Sequence, residues 1–371
     1  MVVTPGLLIA VFVLQATLPG SFEQGRRAQE QGRYAEAESQ YRTVLKTQPR
    51  SVPALTNLGV VLARQGRFND AIAAYQKALA IDPSLTPVKG NIALAYYQQE
   101  DWKNAAGWFT EVLRKTPDDR RIIQLLAICD VQLGRFSEAA GLYGKLLPSD
   151  DSSVLIGAAT SYIETSRTQE GLALLEKLLT VQPDSPQTHF LVGLAHYKRE
   201  DYAGAEPSLR RMLQLSPSSA EGHFYLGAVH FKQNKHDAAM AEWRAAVQAG
   251  PAYFPAVFAL GALLSVKEQY EEAVSFLIRA QALRPDSDTV QYELGRVYYR
   301  RGQYSEALAH LTRAGRLNPN SQSTSYLLAN TYRSLGRKKE ALDEFQRTRR
   351  LVKQNAADPV DQALEKPPRN E

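Results

Sequence analysis

Prolines recur at a fixed interval of 34 residues through most of the chain. They stand at Pro49, Pro83, Pro117, Pro183, Pro217, Pro251, Pro285 and Pro319. The residue twelve places before each proline is small: Ala37, Ala71, Ala105, Gly171, Ala205, Ala239, Ala273 and Ala307. The residue twenty-four places before it is small as well: Gly25, Gly59, Ala93, Ala159, Gly193, Gly227, Gly261 and Gly295. A period of this length is typical of chains that stack similar units, each of which contacts only its neighbours.

The wider gap between Pro117 and Pro183 holds one further unit, shortened by two residues, and a last unit follows Pro319. Ten units therefore begin near Leu18, Val52, Thr86, Arg120, Ser152, Pro186, Ala220, Phe254, Asp288 and Gln322. These residues resemble the tetratricopeptide repeat, a helix-turn-helix module. The resemblance implies an all-α fold: an α-solenoid of about ten helix pairs, wound as a right-handed superhelix with a concave and a convex face.

Elementary packing explains these residue types. Small residues at positions 8 and 20 of a unit let its two helices approach closely where they cross. Glycines such as Gly32 and Gly66 end a first helix in the left-handed conformation that glycine adopts without strain. Proline closes each unit because its ring does not continue a helix. No unit buries its apolar face alone, so stability comes from stacking neighbours.

The repeats divide into units one to four, residues 18–151, and units five to ten, residues 152–355. Unit four is short, and unit five matches least well, with Thr168 where an aromatic residue belongs. This junction indicates either a bend or plain sequence drift, and the sequence leaves both open. Residues 356–371 contain three prolines and are expected to form a short helix at most, or a disordered tail.

The first twenty-two residues carry no charge, and an unbroken apolar run extends from Leu7 to Leu14. A run of this length is typical of the core of a secretory signal, and residues 1–16 are predicted to be a cleaved signal peptide. No basic residue precedes the run, so an uncleaved membrane anchor and a cytoplasmic protein stay open as alternatives. An exported protein that forms no disulfides would fit a periplasmic or secreted location in bacteria.

Composition argues against the common kinds of catalytic chemistry. The chain has 371 residues, a net charge of +5 and a single cysteine, Cys129, so it has no CxxC-type metal or redox site. It contains no phosphate-binding glycine loop, dinucleotide fingerprint, HExxH or GxSxG motif. The repeats occupy nearly all of it and leave no room for a catalytic domain. We predict that the protein is not an enzyme and needs no cofactor.

Four of the six histidines recur at equivalent positions of two neighbouring units. His189 and His196 in unit six recur as His223 and His230 in unit seven. Seven residues apart, the members of each pair share one helix face, so a metal site is one interpretation. The other is that histidine fills positions that usually hold large packing residues. The second is favoured, and no metal is predicted.

Resemblance to the family implies that positions 2, 5, 6, 9, 12 and 13 of each unit line the concave groove. Aromatic and cationic residues alternate at these positions from unit six onward, and aromatic residues supply large contact area at low entropic cost. The predicted peptide-binding residues are Asn57, Asn91, Phe190, Tyr197, Lys198, Phe224, Tyr225, Phe231, Lys232, Phe258, Tyr292, Arg296, Tyr299, Arg300, Tyr326, Asn330 and Arg333. Asn57 and Asn91 resemble the row of asparagines that binds a peptide backbone in some long tetratricopeptide superhelices. The carboxylate clamp of chaperone-binding repeats is absent, because Phe22 and Thr56 stand where its first Lys or Arg belongs.

These observations predict a non-enzymatic scaffold that binds a peptide segment of a partner protein in its concave groove. By analogy with the family, its setting would be a bacterial envelope assembly or secretion system. The alternative is a regulatory or substrate-presenting subunit of a separate enzyme, such as a glycosyltransferase. Nucleic acid is ranked last, since Glu164, Glu221 and Glu293 interrupt the basic surface. The partner's identity and the oligomeric state are not predicted.

Overall fold

The computed structural model describes residues 20–356, and over that range the chain is all-α. The proposed signal peptide and residues 357–371 lie outside the described residues. Twenty helices in this range form ten helix-turn-helix pairs. The structure thereby confirms the predicted all-α class and the repeated helix pair.

The chain divides into two compact units, Met1–Pro183 and Asp184–Glu371. The first contains α1 (Gly20–Glu30), α2 (Tyr34–Thr47), α3 (Val52–Arg64), α4 (Phe68–Ile81), α5 (Thr86–Gln98), α6 (Trp102–Leu113), α7 (Arg120–Gln132), α8 (Phe136–Gly144), α9 (Ser152–Glu164) and α10 (Thr168–Val181). The second contains α11 (Pro186–Lys198), α12 (Tyr202–Leu215), α13 (Ala220–Lys232), α14 (His236–Ala249), α15 (Phe254–Val266), α16 (Tyr270–Leu283), α17 (Asp288–Arg300), α18 (Tyr304–Leu317), α19 (Gln322–Ser334) and α20 (Lys338–Ala356).

The first helix of each pair from the second repeat onward begins at the residue that the 34-residue register gives. Serine side chains cap several of these helices: Ser219 Oγ accepts from Gly222 N at 3.0 Å, and Ser185 Oγ from Thr188 N at 3.2 Å. α8 is short, with nine residues against fourteen in α10, which accounts for the short fourth repeat. A bend between repeats four and five stays a prediction.

The turn inside every repeat has a left-handed residue at position 15. Five of these residues are the predicted glycines, with φ between 71° and 75°. The other five are Glu100, Ser166, Glu200, Asn234 and Glu268, with φ between 58° and 62°. Because all ten turns share one backbone conformation, the geometry of the repeat tolerates a side chain there, although glycine adopts this conformation at lower cost.

The two helices of a repeat are held together at one close approach. Position 8 of the first helix faces position 24 of the second, which carries a large side chain such as Tyr75 or Leu311. A Cβ atom added at Gly59 would lie 2.4 Å from Cε1 of Tyr75, and one added at Gly295 would lie 2.5 Å from Cγ of Leu311. Since both large side chains are fully buried, neither has room to move aside.

First helices of successive repeats also contact one another, for example α11 with α13 and α13 with α15. Each compact unit therefore has a side formed by first helices and a side formed by second helices. No helix among residues 20–356 combines the length and the apolar character that a membrane crossing requires.

We expect Gly59→Ala to destabilise the protein and Gly107→Ala to stabilise it. The alanine methyl at position 59 overlaps the buried Tyr75 ring, and overpacking of this kind costs about 1–3 kcal/mol. Gly107 lies exposed inside α6 with nothing within 4 Å of an added Cβ, so alanine there gains helix propensity of about 1 kcal/mol. Urea unfolding followed by circular dichroism measures both. Equal effects of the two substitutions would contradict the close approach.

Candidate functional site

A cleft opens on the first-helix side of residues 184–356 at a repeat that has a small side chain where its neighbours have large ones. In α15, Ala259 occupies position 6. Position 6 holds Tyr225 in the preceding repeat and Glu293 in the following one. The result is a cleft of about 560 Å³, lined by Phe224, Phe231, Trp243, Phe254, Pro255, Phe258, Ala259, Ala262, Leu263, Val266, Arg284, Glu293 and Arg296, and named here the aromatic cleft.

Packed rings form one wall of the aromatic cleft. The Phe231 ring lies 5.7 Å from the Trp243 ring, and the Phe224 ring stacks on Trp243 at 6.5 Å. Trp243 is held in place because its Nε1 donates to the carbonyl oxygen of Phe224 at 3.1 Å. On α15, Phe254 and Phe258 stack with their ring centroids 5.9 Å apart and nearly parallel. The wall is therefore rigid and is formed before any ligand arrives.

Two apolar side chains of the cleft are exposed. Phe231 is 39% and Val266 is 64% accessible to solvent. Single exposed apolar residues are common on protein surfaces, but these two line one concave site together with buried rings. A concave, mostly apolar site with a few polar groups is what small ligands and peptide side chains occupy.

Charged groups lie at the other wall and at the end of the cleft. Arg296 Nη2 lies 2.6 Å from Glu293 Oε2 and donates to Ser265 Oγ at 3.4 Å, while its buried Nε has no hydrogen-bond partner. Burial raises the pKa of the Glu293 carboxyl, and the guanidinium of Arg296 opposes that rise. Arg284 lies over the Phe254 ring at 4.0 Å.

Cations without a carboxylate partner flank the exposed Val266. Lys232, Val266 and Arg300 all occupy position 13, the last residue of three consecutive first helices. Within residues 184–356, neither Lys232 nor Arg300 lies within ion-pair distance of a carboxylate, and the same holds for Arg284. Of these three cations only Arg284 lines the cleft, and Lys232 and Arg300 end the helices on either side of α15.

Four of the predicted groove residues line the aromatic cleft: Phe224, Phe231, Phe258 and Arg296. Phe190, Tyr197 and Tyr225 form a neighbouring cluster, in which the Tyr225 ring lies 5.5 Å from Phe190 and 5.8 Å from Tyr197. Burial raises the pKa of the Tyr197 hydroxyl, as expected for a side chain that is half-buried among its neighbours. Lys198 is exposed beside this cluster.

The predicted aromatic residues of the last two repeats do not line the cleft. Tyr292 and Tyr299 are half-buried against the core that contains Leu311, and the Tyr299 ring lies 5.5 Å from Tyr304. Tyr326 is exposed, with its ring 6.1 Å from Phe345. Tyr292 and Tyr299 therefore pack mainly against the protein, whereas the Tyr326 ring is accessible to a ligand.

The predicted asparagines do not face a groove, and this part of the prediction is corrected. Asn57 is 5% and Asn91 is 1% exposed, so a peptide backbone cannot reach their amides. Asn330 is also buried: its Nδ2 donates to the carbonyl oxygen of Tyr326 at 2.9 Å, and its Oδ1 accepts from Arg333 at 2.7 Å. Sequence position alone did not reveal that these side chains are buried.

The histidines take separate partners. His196 Nδ1 lies 2.8 Å from Asp201 Oδ2, and His223 Nδ1 lies 2.7 Å from Glu242 Oε2. His223 Nε2 also lies 3.0 Å from the carbonyl oxygen of Pro217. Among the described residues, no three histidine, cysteine or acidic side chains come together as metal ligands would.

Several cleft residues were missed by the sequence reasoning. Trp243 comes from a second helix, Phe254 from position 1, and Arg284 from the loop after α16, none of which counts as a groove position in the family pattern. One signal was present in the sequence: Ala259 interrupts the large residues Leu191, Tyr225 and Glu293 at position 6. Small residues at a surface position indicate that neighbouring side chains become accessible.

Comparison with known families identifies the repeats. Two sequence models described as tetratricopeptide repeat match residues 22–85, 156–220 and 195–254, and residues 62–127 and 96–159. A third, described as anaphase-promoting complex, cyclosome, subunit 3, matches residues 266–348. The repeat models together cover residues 22–254, more than half of the chain, so the protein belongs to the tetratricopeptide repeat family.

Solved structures that are similar to this chain include a tetratricopeptide repeat protein from Parabacteroides merdae ATCC 43184, which is 18% identical with a TM-score of 0.44 and covers 62% of this chain and 92% of its own. MamA from Desulfovibrio magneticus RS-1 is 18% identical with a TM-score of 0.44 over 46% of this chain and 97% of its own. MamA AMB-1 is 23% identical with a TM-score of 0.42 over 44% of this chain and 98% of its own. No curated protein matches the sequence.

We expect the thiol of Cys129 to be inert in the folded protein. The side chain is buried in α7, and burial raises the pKa of its thiol to about 12, so almost no nucleophilic thiolate forms at neutral pH. Mass spectrometry after iodoacetamide treatment at pH 8 measures alkylation in buffer and in urea. Modification that is as fast in buffer as in urea would place Cys129 at the surface.

Proposed function

We propose that the protein is a non-enzymatic scaffold whose aromatic cleft captures a short segment of a partner protein. Tetratricopeptide repeat proteins are interaction scaffolds, and the family membership established above supports a protein partner. The single observation that carries the proposal is the cleft in repeats seven to nine, which combines a preformed aromatic wall, exposed Phe231 and Val266, and Arg284, a cation without a carboxylate partner in residues 184–356.

The chemistry of the cleft favours a particular kind of segment. A cleft of about 560 Å³ lined by five aromatic side chains has room for one or two large apolar side chains of a peptide. Arg284 in the cleft, with Lys232 and Arg300 at the ends of the helices on either side of α15, favours acidic residues beside that apolar anchor, since charge complementarity steers binding and fixes orientation. The preferred ligand is therefore a segment with a Leu or aromatic residue followed or preceded by Asp or Glu.

Selection from a displayed library of random peptides tests this preference. We expect the intact protein to enrich peptides with an apolar anchor beside an acidic residue. The double variant Phe231→Ala, Val266→Asp should bind those peptides at least about 30-fold more weakly, because truncation of a well-packed anchor contact costs about 2 kcal/mol or more. Fluorescence polarisation with labelled selected peptides measures the affinities.

The chain offers a matched control for this variant. Ile278 and Leu283 of α16 are exposed apolar residues that do not line the cleft, with 49% and 37% of their surface accessible. Ile278→Asp with Leu283→Ala changes the same kinds of side chain and should leave the affinity unchanged. A similar loss in both double variants, or none in either, would show that the cleft does not hold the peptide.

We further propose that the scaffold works outside the cytoplasm, in assembly of the bacterial envelope or in secretion. The support is the uncharged apolar run from Leu7 to Leu14 and the absence of any cysteine pair, which suits an exported protein that folds without disulfides. This placement rests on sequence alone.

Expression of the whole chain with a C-terminal tag in a Gram-negative host tests the export. We expect the protein in the periplasmic fraction, with its amino terminus at Thr17 after removal of residues 1–16. The variant Ile9→Asp, Val11→Asp places charges in the apolar run and should hold the protein in the cytoplasm at full length. An uncleaved chain in the cytoplasm without these substitutions would contradict the export.

A further inference from the structure

The aromatic cleft extends to the end of repeat eight at which α15 begins and α16 finishes. Phe254 and Pro255, the first two residues of α15, line the cleft there, and so does Arg284, which follows the last residue of α16. Arg284 is exposed, lies over the Phe254 ring at 4.0 Å, and has no carboxylate within ion-pair distance in residues 184–356. This end of the cleft therefore presents an aromatic wall beside a cation that is available to a carboxylate.

The last helix, α20, finishes at the corresponding end of repeat ten. Gln322, the first residue of α19, donates from Nε2 to the carbonyl oxygen of Leu351 at 3.1 Å, and α20 continues from there to Ala356. The residues after Ala356 therefore leave repeat ten beside the start of a first helix. Phe254 and Arg284 stand at the equivalent place two repeats earlier.

The residues that follow α20 have the composition that the aromatic cleft favours. Residues 358–365, which lie outside the described residues, read Asp-Pro-Val-Asp-Gln-Ala-Leu-Glu. They carry three carboxylates and no basic residue, and both of the large apolar residues, Val360 and Leu364, are followed directly by an acidic one. Residues 1–19, also outside the described residues, carry no charge. Of these two stretches, only residues 358–365 combine apolar anchors with carboxylates.

This segment is long enough to reach the cleft. The first helices contact one another in series, α15 with α17 and α17 with α19. Packed helices lie about 8–10 Å apart, so two such steps amount to about 16–20 Å. An extended chain spans about 3.3 Å per residue, so residues 357–364 span about 26 Å. Leu364 therefore reaches the cleft while the chain stays joined to α20.

We propose that residues 358–365 occupy the aromatic cleft of their own molecule when no partner is bound. Val360 and Leu364 lie against Phe254 and Phe258, and Asp361 pairs with Arg284. The inference rests on the proposed function and adds its regulation: the segment is a self-ligand, and a partner binds by displacing it.

Tethering makes a weak self-ligand effective. A short tether gives an effective concentration on the order of 1 mM, so a segment with a Kd of about 100 µM fills the cleft about nine-tenths of the time. The apparent Kd of a competing partner then rises about tenfold. A second copy of the chain at micromolar concentration competes poorly with a tethered segment, which is why the segment is assigned to its own molecule.

Substitutions in the segment of the full chain test this occupancy. We expect Val360→Ser with Leu364→Ser to bind the peptides selected on the cleft about tenfold more tightly than the unmodified chain, because the self-ligand loses both anchors. Fluorescence polarisation measures the affinities. The matched control is Leu342→Ser with Val352→Ser, which removes the same two side chains from positions of α20 that are 57% and 49% exposed. The control should leave the affinity unchanged.

A disulfide cross-link tests where the segment lies. The natural Cys129 is buried and does not compete. We expect Ala259→Cys with Leu364→Cys to form an intramolecular disulfide on mild oxidation, and an excess of selected peptide to suppress it. The control is Ala282→Cys with Leu364→Cys, since Ala282 is exposed two residues before Arg284 and does not line the cleft. The control pair should cross-link less than about a tenth as fast, as measured by mass spectrometry of tryptic peptides.

The outcomes separate this inference from the proposed function. Peptides that bind the unmodified chain and the Val360→Ser, Leu364→Ser variant with equal affinity, or equal cross-linking of the two cysteine pairs, would overturn the self-ligand and leave the cleft as a binding site. A cross-link specific to position 259 without peptide binding to either form would support the self-ligand and contradict the proposed function. A dimer in light scattering that Val360→Ser with Leu364→Ser converts to a monomer would place the segment on a second copy and overturn the proposal.

Discussion

The structure depends on one close contact that recurs in six of the helix pairs among residues 20–356. A glycine at position 8 of the first helix receives a large side chain from position 24 of the second, as Gly59 receives Tyr75 and Gly295 receives Leu311. This contact fixes the distance between the paired helices and buries the large side chain. Because interiors are close-packed, any added atom at position 8 forces a neighbour to move. The rest of each repeat is built around this contact, so its surface positions are free to vary.

The aromatic cleft arises from that freedom. Ala259 stands at position 6, where the neighbouring repeats have Tyr225 and Glu293, and the cleft beside it is lined by aromatic rings together with Arg284 and Arg296. A regular solenoid therefore acquires a site with its own binding chemistry through a small residue at one position.

The charged groups in and beside the aromatic cleft differ in how much they can contribute to binding. Arg296 already lies 2.6 Å from Glu293, and burial raises the pKa of that carboxyl, so the pair is partly satisfied within the protein. Lys232 and Arg300 have no such partner within residues 184–356, and they remain available to a ligand. Surface ion pairs contribute little affinity each, so the apolar anchor is expected to supply most of the binding energy and the cations its orientation.

The sequence by itself determined the helix pairs, their register and the small residues at position 8, because a 34-residue period with fixed small positions permits few other folds. The structure added that position 24 supplies the large partner, as Tyr75 does for Gly59. The sequence also selected Phe224, Phe231, Phe258 and Arg296, which the cleft does contain. Only the tertiary structure showed that Asn57 and Asn91 are buried and that Trp243, Phe254 and Arg284 line the aromatic cleft. The physical reason is that exposure depends on the side chains of neighbouring helices, which a position within one repeat does not specify.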